Sequence, residues 1–411
     1  MGYKGYFVAC HKDKNVLAKS SSGGMFSVFA DYVLKKGGIV LGATFDRTEK
    51  KVKHIGITES ADLDKLRKSK YVYSDFSESI DIIEKAIIDD RYILFTGTPC
   101  QAAAINAKFG NYGKLYIVDL FCHGTLEPQY LTQYLDSLGT EIKDVCFREQ
   151  EKNCKDNFLL CIYDNKGLNI SDVYINNPLT YLFLSSEGIR DVCFSCKYAY
   201  NEHISDITIG DWDFEYPNEW NELYEFLHPS IVSINNEKGD ELFKACSGSF
   251  CSCEVGENED EINWYYRNHN TMKGLWGYDA DKKREFIEMQ KNKGFLYAAE
   301  YSMYERERKL IEKAIAKGNQ KLCLYGCGKN GKRISKVISK YYRDCVEIQY
   351  FVVTENKEKL ETIDNIKIYE LQDICDDLYD KTIVITIGKE DVRIEIEEKL
   401  IEKGITNYVS W

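Results

Sequence analysis

Short apolar runs alternate with amphipathic stretches along most of this chain, and that alternation limits its fold more than any other feature. "GGIVLGATF" (37–45), "RYILFTG" (91–97) and "KLYIVDLF" (114–121) are rich in β-branched and aromatic residues, bounded by glycine or charge, and of strand length. Between them, "GGMFSVFADYVLKKG" and "SESIDIIEKAIIDD" repeat apolar residues at helical spacing. Strands that alternate with helices run partly parallel, so a mixed α/β core is expected over residues 1–275. From 276 to 318 the text turns to charge and strong helix formers ("DKKREFIEMQKNKGFLYAAEYSMYERERKLIEKAIAKG"), which predicts a helical connector. Residues 319–411 resume the alternation. Their length is short for a complete dinucleotide domain and predicts a small doubly wound unit.

Composition narrows the function classes. With 44% hydrophobic and 13% aromatic residues, the 411-residue chain can bury sizeable cores. A formal net charge of -12 disfavours nucleic acid as a partner. No run reaches the roughly 20 apolar residues of a membrane span, and "MGYKGYFVACHKDKN" places charge where a signal peptide is apolar. The expectation is a cytoplasmic protein with no integral membrane segment. In a reducing compartment, fifteen cysteines imply burial, metal binding or catalysis. Cys10, Cys146, Cys154, Cys161, Cys246, Cys323, Cys345 and Cys375 stand in ordinary surroundings and read as small buried hydrophobes.

Cys193 and Cys196 in "RDVCFSCKYAY" form a CxxC pair that two different sets could complete. Cys100 in "FTGTPCQAAA" and Cys122 in "VDLFCHGTLEP" each follow the carboxyl end of a predicted strand, where α/β sheets bind ligands; with them the four thiols suit an iron–sulfur cluster. Cys251 and Cys253 in "FCSCEV" would instead make a near-structural zinc pattern. Spacing leaves both sets open. A dithiol redox pair has less support, because no strand–CxxC–helix context surrounds it. Ser20, Ser21, Ser22, Gly23 and Gly24 precede a helix, where hydroxyls and free N–H groups meet a pyrophosphate or simply cap the helix. In "KLCLYGCGKNGKRI", Gly326, Gly328 and Gly331 have dinucleotide-fingerprint spacing, and Glu355 ends the next predicted strand.

Read in order, "SSSGGMFSVFADYVLKKGGIVLGATFD", "LRKSKYVYS", "ILFTGTPCQAAA", "VDLFCHGTLEP", "CFR", "RDVCFSCKYA" and "SDITIGDW" resemble the coenzyme F-420 hydrogenase/dehydrogenase beta-subunit family, as one of its bacterial members. The resemblance implies a flavoprotein that binds FAD and a [4Fe-4S] cluster. It further implies Cys100, Cys122, Cys193 and Cys196 as cluster ligands and Ser20–Gly24 as a contact of the flavin nucleotide; Lys70 in "SKYVYS" is a candidate to meet its phosphates or ring, with a solvated lysine as the alternative. His123, beside Cys122, and Asp211 in "TIGDW" are the candidate catalytic groups; Trp212 is a candidate for stacking and Arg148 in "CFR" for clamping an anion.

Relatives often begin with a cysteine-rich ferredoxin-like segment, whereas Cys10 alone falls in the first 99 residues here. An external ferredoxin, flavodoxin or reductase is therefore the expected electron donor. "CFREQEKNCKDNF" and "GDWDFEY" also depart from the family pattern, near where its substrate binds. Residues 319–411 resemble the Rossmann-like domains attached to bacterial glycosyltransferases and sugar-modifying enzymes. Together these features predict a reductase of a carbohydrate or nucleotide-linked substrate in surface-polysaccharide biosynthesis. The alternative is a redox-inactive, zinc-stabilised nucleotide-sugar-binding or scaffold protein, and a homo-oligomer is compatible with either.

Overall fold

The apolar runs read from the sequence are strands in the computed structural model, which describes residues 5–150, 158–198, 203–220, 228–255, 278–356 and 361–411. The expected boundary near residue 275, and Cys154, lie outside them. The chain divides into two units, Met1–Glu300 and Tyr301–Trp411. The helical stretch of 276–318 is shared between these: Ala280–Lys293 belongs to the first unit and Glu305–Ala316 to the second.

The first unit contains β1 (Gly5–His11), β2 (Ile39–Asp46), β3 (Lys51–Ile57), β4 (Ile93–Gly97), β5 (Leu115–Leu120), β6 (Ile142–Gln150), β7 (Phe158–Asp164), β8 (Gly167–Val173), β9 (Ile207–Asp211), β10 (Ser230–Ile234) and β11 (Phe250–Glu254). Eight of them form one sheet, ordered β11-β1-β10-β9-β5-β4-β2-β3. β2, β4, β5 and β9 run parallel, and the outer pairs are antiparallel.

Alternate residues of the parallel strands enter two cores. Val40, Leu94 and Val118 pack with Val28, Phe29 and Val33 of the helix Met25–Lys35. Leu41, Ile93, Phe95 and Ile117 pack with Ile83 and Ala102 of the helices Glu78–Ile88 and Pro99–Phe109. Burial on both faces is why these strands read as continuous apolar runs. Withdrawing Phe29 or Phe95 from water stabilises the fold by about 2 kcal/mol each. β6, β7 and β8 form a separate antiparallel sheet. Its inner residues Val145, Phe147, Leu160 and Ile162 share a core with Leu131, Leu182, Phe286 and Phe295.

The second unit contains β12 (Lys321–Tyr325), β13 (Glu347–Val353), β14 (Thr362–Ile363), β15 (Ile366–Glu370), β16 (Thr382–Ile385) and β17 (Tyr408–Val409), ordered β14-β15-β13-β12-β16-β17. β12 lies in the middle of a parallel run. The chain first builds outward through β13 and β15, then reverses to β16 and β17. That reversal places a topological switch point between β12 and β16. Cys323, Tyr325, Val352 and Ile385 pack on one face with Leu371, Ile396 and Leu400. The helix Glu305–Ala316 contacts β16, β17 and the helix Lys329–Val337. The fold class is thus α/β. Among the described residues, no helix is long and apolar enough to cross a membrane.

Candidate functional site

Three cysteine-bearing segments meet beyond the carboxyl edge of the parallel strands. β4 and β5 are in register at Gly97 and Asp119, so the turns that follow them leave the sheet side by side. After β4, Thr98 opens the helix Pro99–Phe109 through a reciprocal cap with Gln101, whose Oε1 accepts from the Thr98 N–H at 3.0 Å. The Gln101 amide also donates to the Ser74 carbonyl at 2.9 Å. Cys100 is thereby fixed in the first helical turn, with Thr98 Oγ1 at 3.2 Å from its Sγ.

After β5 come Cys122, His123 and Gly124. Gly124 has φ +98°, and a side chain there would meet Ile189 at 2.7 Å and the Cβ of Cys193 at 3.4 Å. The next residues pair on both sides. The Leu126 N–H donates to the Tyr71 carbonyl at 2.8 Å, and the Arg190 N–H to the Thr125 carbonyl at 3.0 Å. This pairing delivers the short helix Asp191–Phe194, which carries Cys193; the Cys196 N–H then donates to the Cys193 carbonyl at 3.3 Å.

Burial raises the Cys100 thiol above its ordinary pKa, and nearby Cys196 and Cys193 raise it further against the Thr98 hydrogen bond. Cys193 and Cys196 are thus close enough to act on Cys100, as the members of one donor set would be. Cys100, Cys122, Cys193 and Cys196 are all half-buried, and none of them is in a disulfide. Among the described residues, no three His, Cys, Asp or Glu side chains converge closely enough for a single metal ion. A four-iron cube takes one thiolate per iron, which spaces its ligands more widely than one ion does. An all-thiol set on neighbouring turns is a donor chemistry that iron–sulfur clusters use. Cys251 and Cys253 lie elsewhere, on the edge strand β11. Cys251 is in register with Cys10, and both pack near Trp212 and Trp220.

Asp211 ends β9 on the same sheet edge and forms an ion pair with Arg148 of β6. Arg148 is buried, with its guanidinium 3.9 Å from the Phe158 ring centroid. His123 is half-buried beside Cys122. Trp212 is buried and donates its indole N–H to the Glu215 carbonyl at 2.8 Å. Sequence reasoning missed two neighbours of the site. Tyr73 lies close enough to Cys100 and Arg190 for both to act on its hydroxyl. Asp119 and His203 form a fully buried pair at 2.8 Å, and the Thr208 hydroxyl donates to the other Asp119 oxygen at 2.5 Å. The one legible signal was an acidic residue inside the apolar run "KLYIVDLF".

The Ser20–Gly24 loop is held internally. The Ser20 hydroxyl donates to the Val16 carbonyl at 2.7 Å, Ser21 Oγ accepts from the Ser69 N–H at 2.8 Å, and Ser22 Oγ lies 3.0 Å from Ser230 Oγ. Gly24 begins the helix at φ +76°. Beside Ser69 opens a cavity of about 820 Å³, lined by seven basic side chains (Lys19, Arg47, Lys53, Lys65, Arg67, Lys68, Lys70) and four carboxylates (Asp46, Asp64, Asp144, Glu149). Positive lining in so acidic a chain favours an anionic ligand. Lys70 donates to the Arg67 and Leu66 carbonyls at 2.6 and 3.1 Å. Burial pushes its pKa down to about 7.

In the second unit, Gly326 takes φ +106°, and a Cβ on Gly331 would stand 2.1 Å from the Gly326 carbonyl oxygen. No atom lies within 4 Å of where a Gly328 side chain would be, and Glu355 is exposed just past β13.

No curated protein matches the chain. Among solved structures, a chain of the F420-reducing [NiFe] hydrogenase complex from Methanosarcina barkeri is similar at 20% identity and a TM-score of 0.45, over 71% of this chain and 93% of that one. Residues 6–81 match the family model for the N-terminal part of the coenzyme F420 hydrogenase/dehydrogenase beta subunit, and residues 90–253 match that for its C terminus. The two matches together span more than half of the sequence, and the chain belongs to the coenzyme F420 hydrogenase/dehydrogenase beta-subunit family of oxidoreductase subunits.

Proposed function

We propose that this protein is a FAD- and iron–sulfur-dependent reductase that takes electrons from an external ferredoxin, flavodoxin or reductase and acts on a carbohydrate or nucleotide-linked substrate of surface-polysaccharide biosynthesis. The observation that carries this reading is the meeting of Cys100 with Cys193 and Cys196, and of Cys122 on the adjoining turn, at one sheet edge. Cys100, Cys122, Cys193 and Cys196 would hold a [4Fe-4S] cluster. The Ser20–Gly24 loop and the cations of the adjoining cavity would hold the FAD pyrophosphate. When bound, the two groups supply single-electron uptake and two-electron delivery.

The protein's own groups then have separable tasks. The Thr98 hydroxyl lies within hydrogen-bond reach of the Cys100 sulfur, which steadies its negative charge. Arg148 fixes the Asp211 carboxylate at the edge where a substrate hydroxyl can bond to it, and His123 on the adjacent turn can hold or give up a proton. The second unit contributes a nucleotide or nucleotide-sugar site at its switch point. There the backbone at Gly328 is clear for a diphosphate, and Glu355 can accept from a ribose hydroxyl.

The test is the iron, acid-labile sulfide and flavin content of protein purified without oxygen. Cys100→Ser and Cys193→Ser each lose most of the iron, whereas Cys251→Ser keeps it. Equal iron in all three variants, or colourless wild-type protein carrying zinc, would overturn the reading.

A further inference from the structure

Helix Ala280–Lys293 lies beyond residue 253, where the family match ends, yet one of its side chains reaches the CxxC segment. Lys283 is only 6% exposed. Its ammonium donates to the Ile189 carbonyl at 2.5 Å, pairs with the Asp191 carboxylate at 2.5 Å, and lies 4.8 Å from the centroid of the Phe194 ring. All three partners belong to the stretch that carries Cys193. The partners are unequal, since Asp191 is itself 86% exposed. The buried end of the contact is therefore the carbonyl and the ring, and the carboxylate holds the ammonium from the solvent side.

A buried ammonium needs such partners, because one left unpaired away from water is costly. A helix of only four residues, Asp191–Phe194, cannot in turn hold its own conformation. Each element supplies what the other lacks. We infer that Lys283 is a positioning residue that holds Cys193 and Cys196 in place for their ligand and sets a positive charge beside it. The second half of the inference rests on the cluster reading above, while the first concerns the thiols alone.

Two measurements separate these halves. In metal-free protein, Lys283→Met should raise the rate at which Cys193 and Cys196 react with a maleimide, read by peptide mapping, by tenfold or more while Cys345 reacts as before. Asp191→Asn, at an exposed position that cannot unfold the core, should raise it by a smaller factor. In anaerobically loaded protein, Lys283→Met should retain less than a third of the wild-type iron, and the iron it retains should have a lower midpoint potential, since a nearby cation favours the reduced form. Unchanged thiol reactivity in both variants overturns the inference whether or not wild-type protein holds iron. Raised reactivity in protein that never holds iron supports the strut and overturns the cluster. Lower iron with an unshifted potential overturns the charge role and leaves the strut supported by the thiol rates.

Discussion

Single residues differ widely in how far their role can be read from the sequence. Cys193 and Cys196 announce themselves by spacing. Lys283 and His203 do not, because their partners stand 94 and 84 positions away and each residue taken alone is ordinary. Position in the fold also decides proton chemistry. His54 on β3 is 1% exposed, stacked on Phe95 at 5.3 Å, with Nε2 at 2.8 Å from the Thr96 carbonyl. Burial lowers its pKa from 6.5 to about 4. The unfolded chain therefore binds a proton that the folded chain refuses, and the stability His54 allows is complete above pH 6.5 and lost as pH falls toward 4. Unfolding by urea at pH 7 and pH 4.5 should show wild-type protein losing about 2–3 kcal/mol more than His54→Gln over that interval. Identical losses in the two proteins would remove His54 as the cause.

At the level of elements, legibility followed burial. The parallel strands β2, β4 and β5 are covered on both faces and read as unbroken apolar runs. β8 is largely exposed, and the run of β6 is broken by charge, with the buried Arg148 itself among the interruptions, so no sequence pattern foretold the sheet that supplies it. The glycine fingerprint shows the same division inside one turn. Gly331 lets the helix Lys329–Val337 approach β12, whereas a side chain at Gly328 would enter open space. Gly331→Ala should then cost about 3 kcal/mol or more by overpacking, and Gly328→Ala less than about 1 kcal/mol. If the switch point holds a diphosphate, Gly328→Ala should weaken nucleotide binding without a matching loss of melting temperature. A Gly328→Ala protein as unstable as Gly331→Ala would mean that this glycine serves packing alone.

Across the whole molecule, the two units carry separate cores, and that bears on how the second can be tested. Strand periodicity places the start of the second domain at the first strand, near residue 319, because a charged helix reads as a connector. The structure assigns the helix Glu305–Ala316 to the second unit, where it buries Leu310, Ile311 and Ala314. Its Glu307, nearly buried, pairs with Arg333 at 2.6 Å. A fragment cut at 319 loses about 2 kcal/mol for each large apolar side chain removed and leaves Arg333 without that carboxylate. Those losses are comparable to the whole stability of a domain this small. Fragment 301–411 should therefore unfold in one cooperative transition, while fragment 319–411 should bind a hydrophobic dye and melt without a sharp midpoint. Equal midpoints for the two would show that the helix is a connector after all. The same contrast governs ligand tests, since calorimetry against UDP-, GDP- and CDP-sugars is informative only on the fragment that keeps its sheet covered. Millimolar ligand that gives no heat with fragment 301–411 would remove the sugar-nucleotide role from this unit, whereas silence from fragment 319–411 would report only that the fold had been cut open.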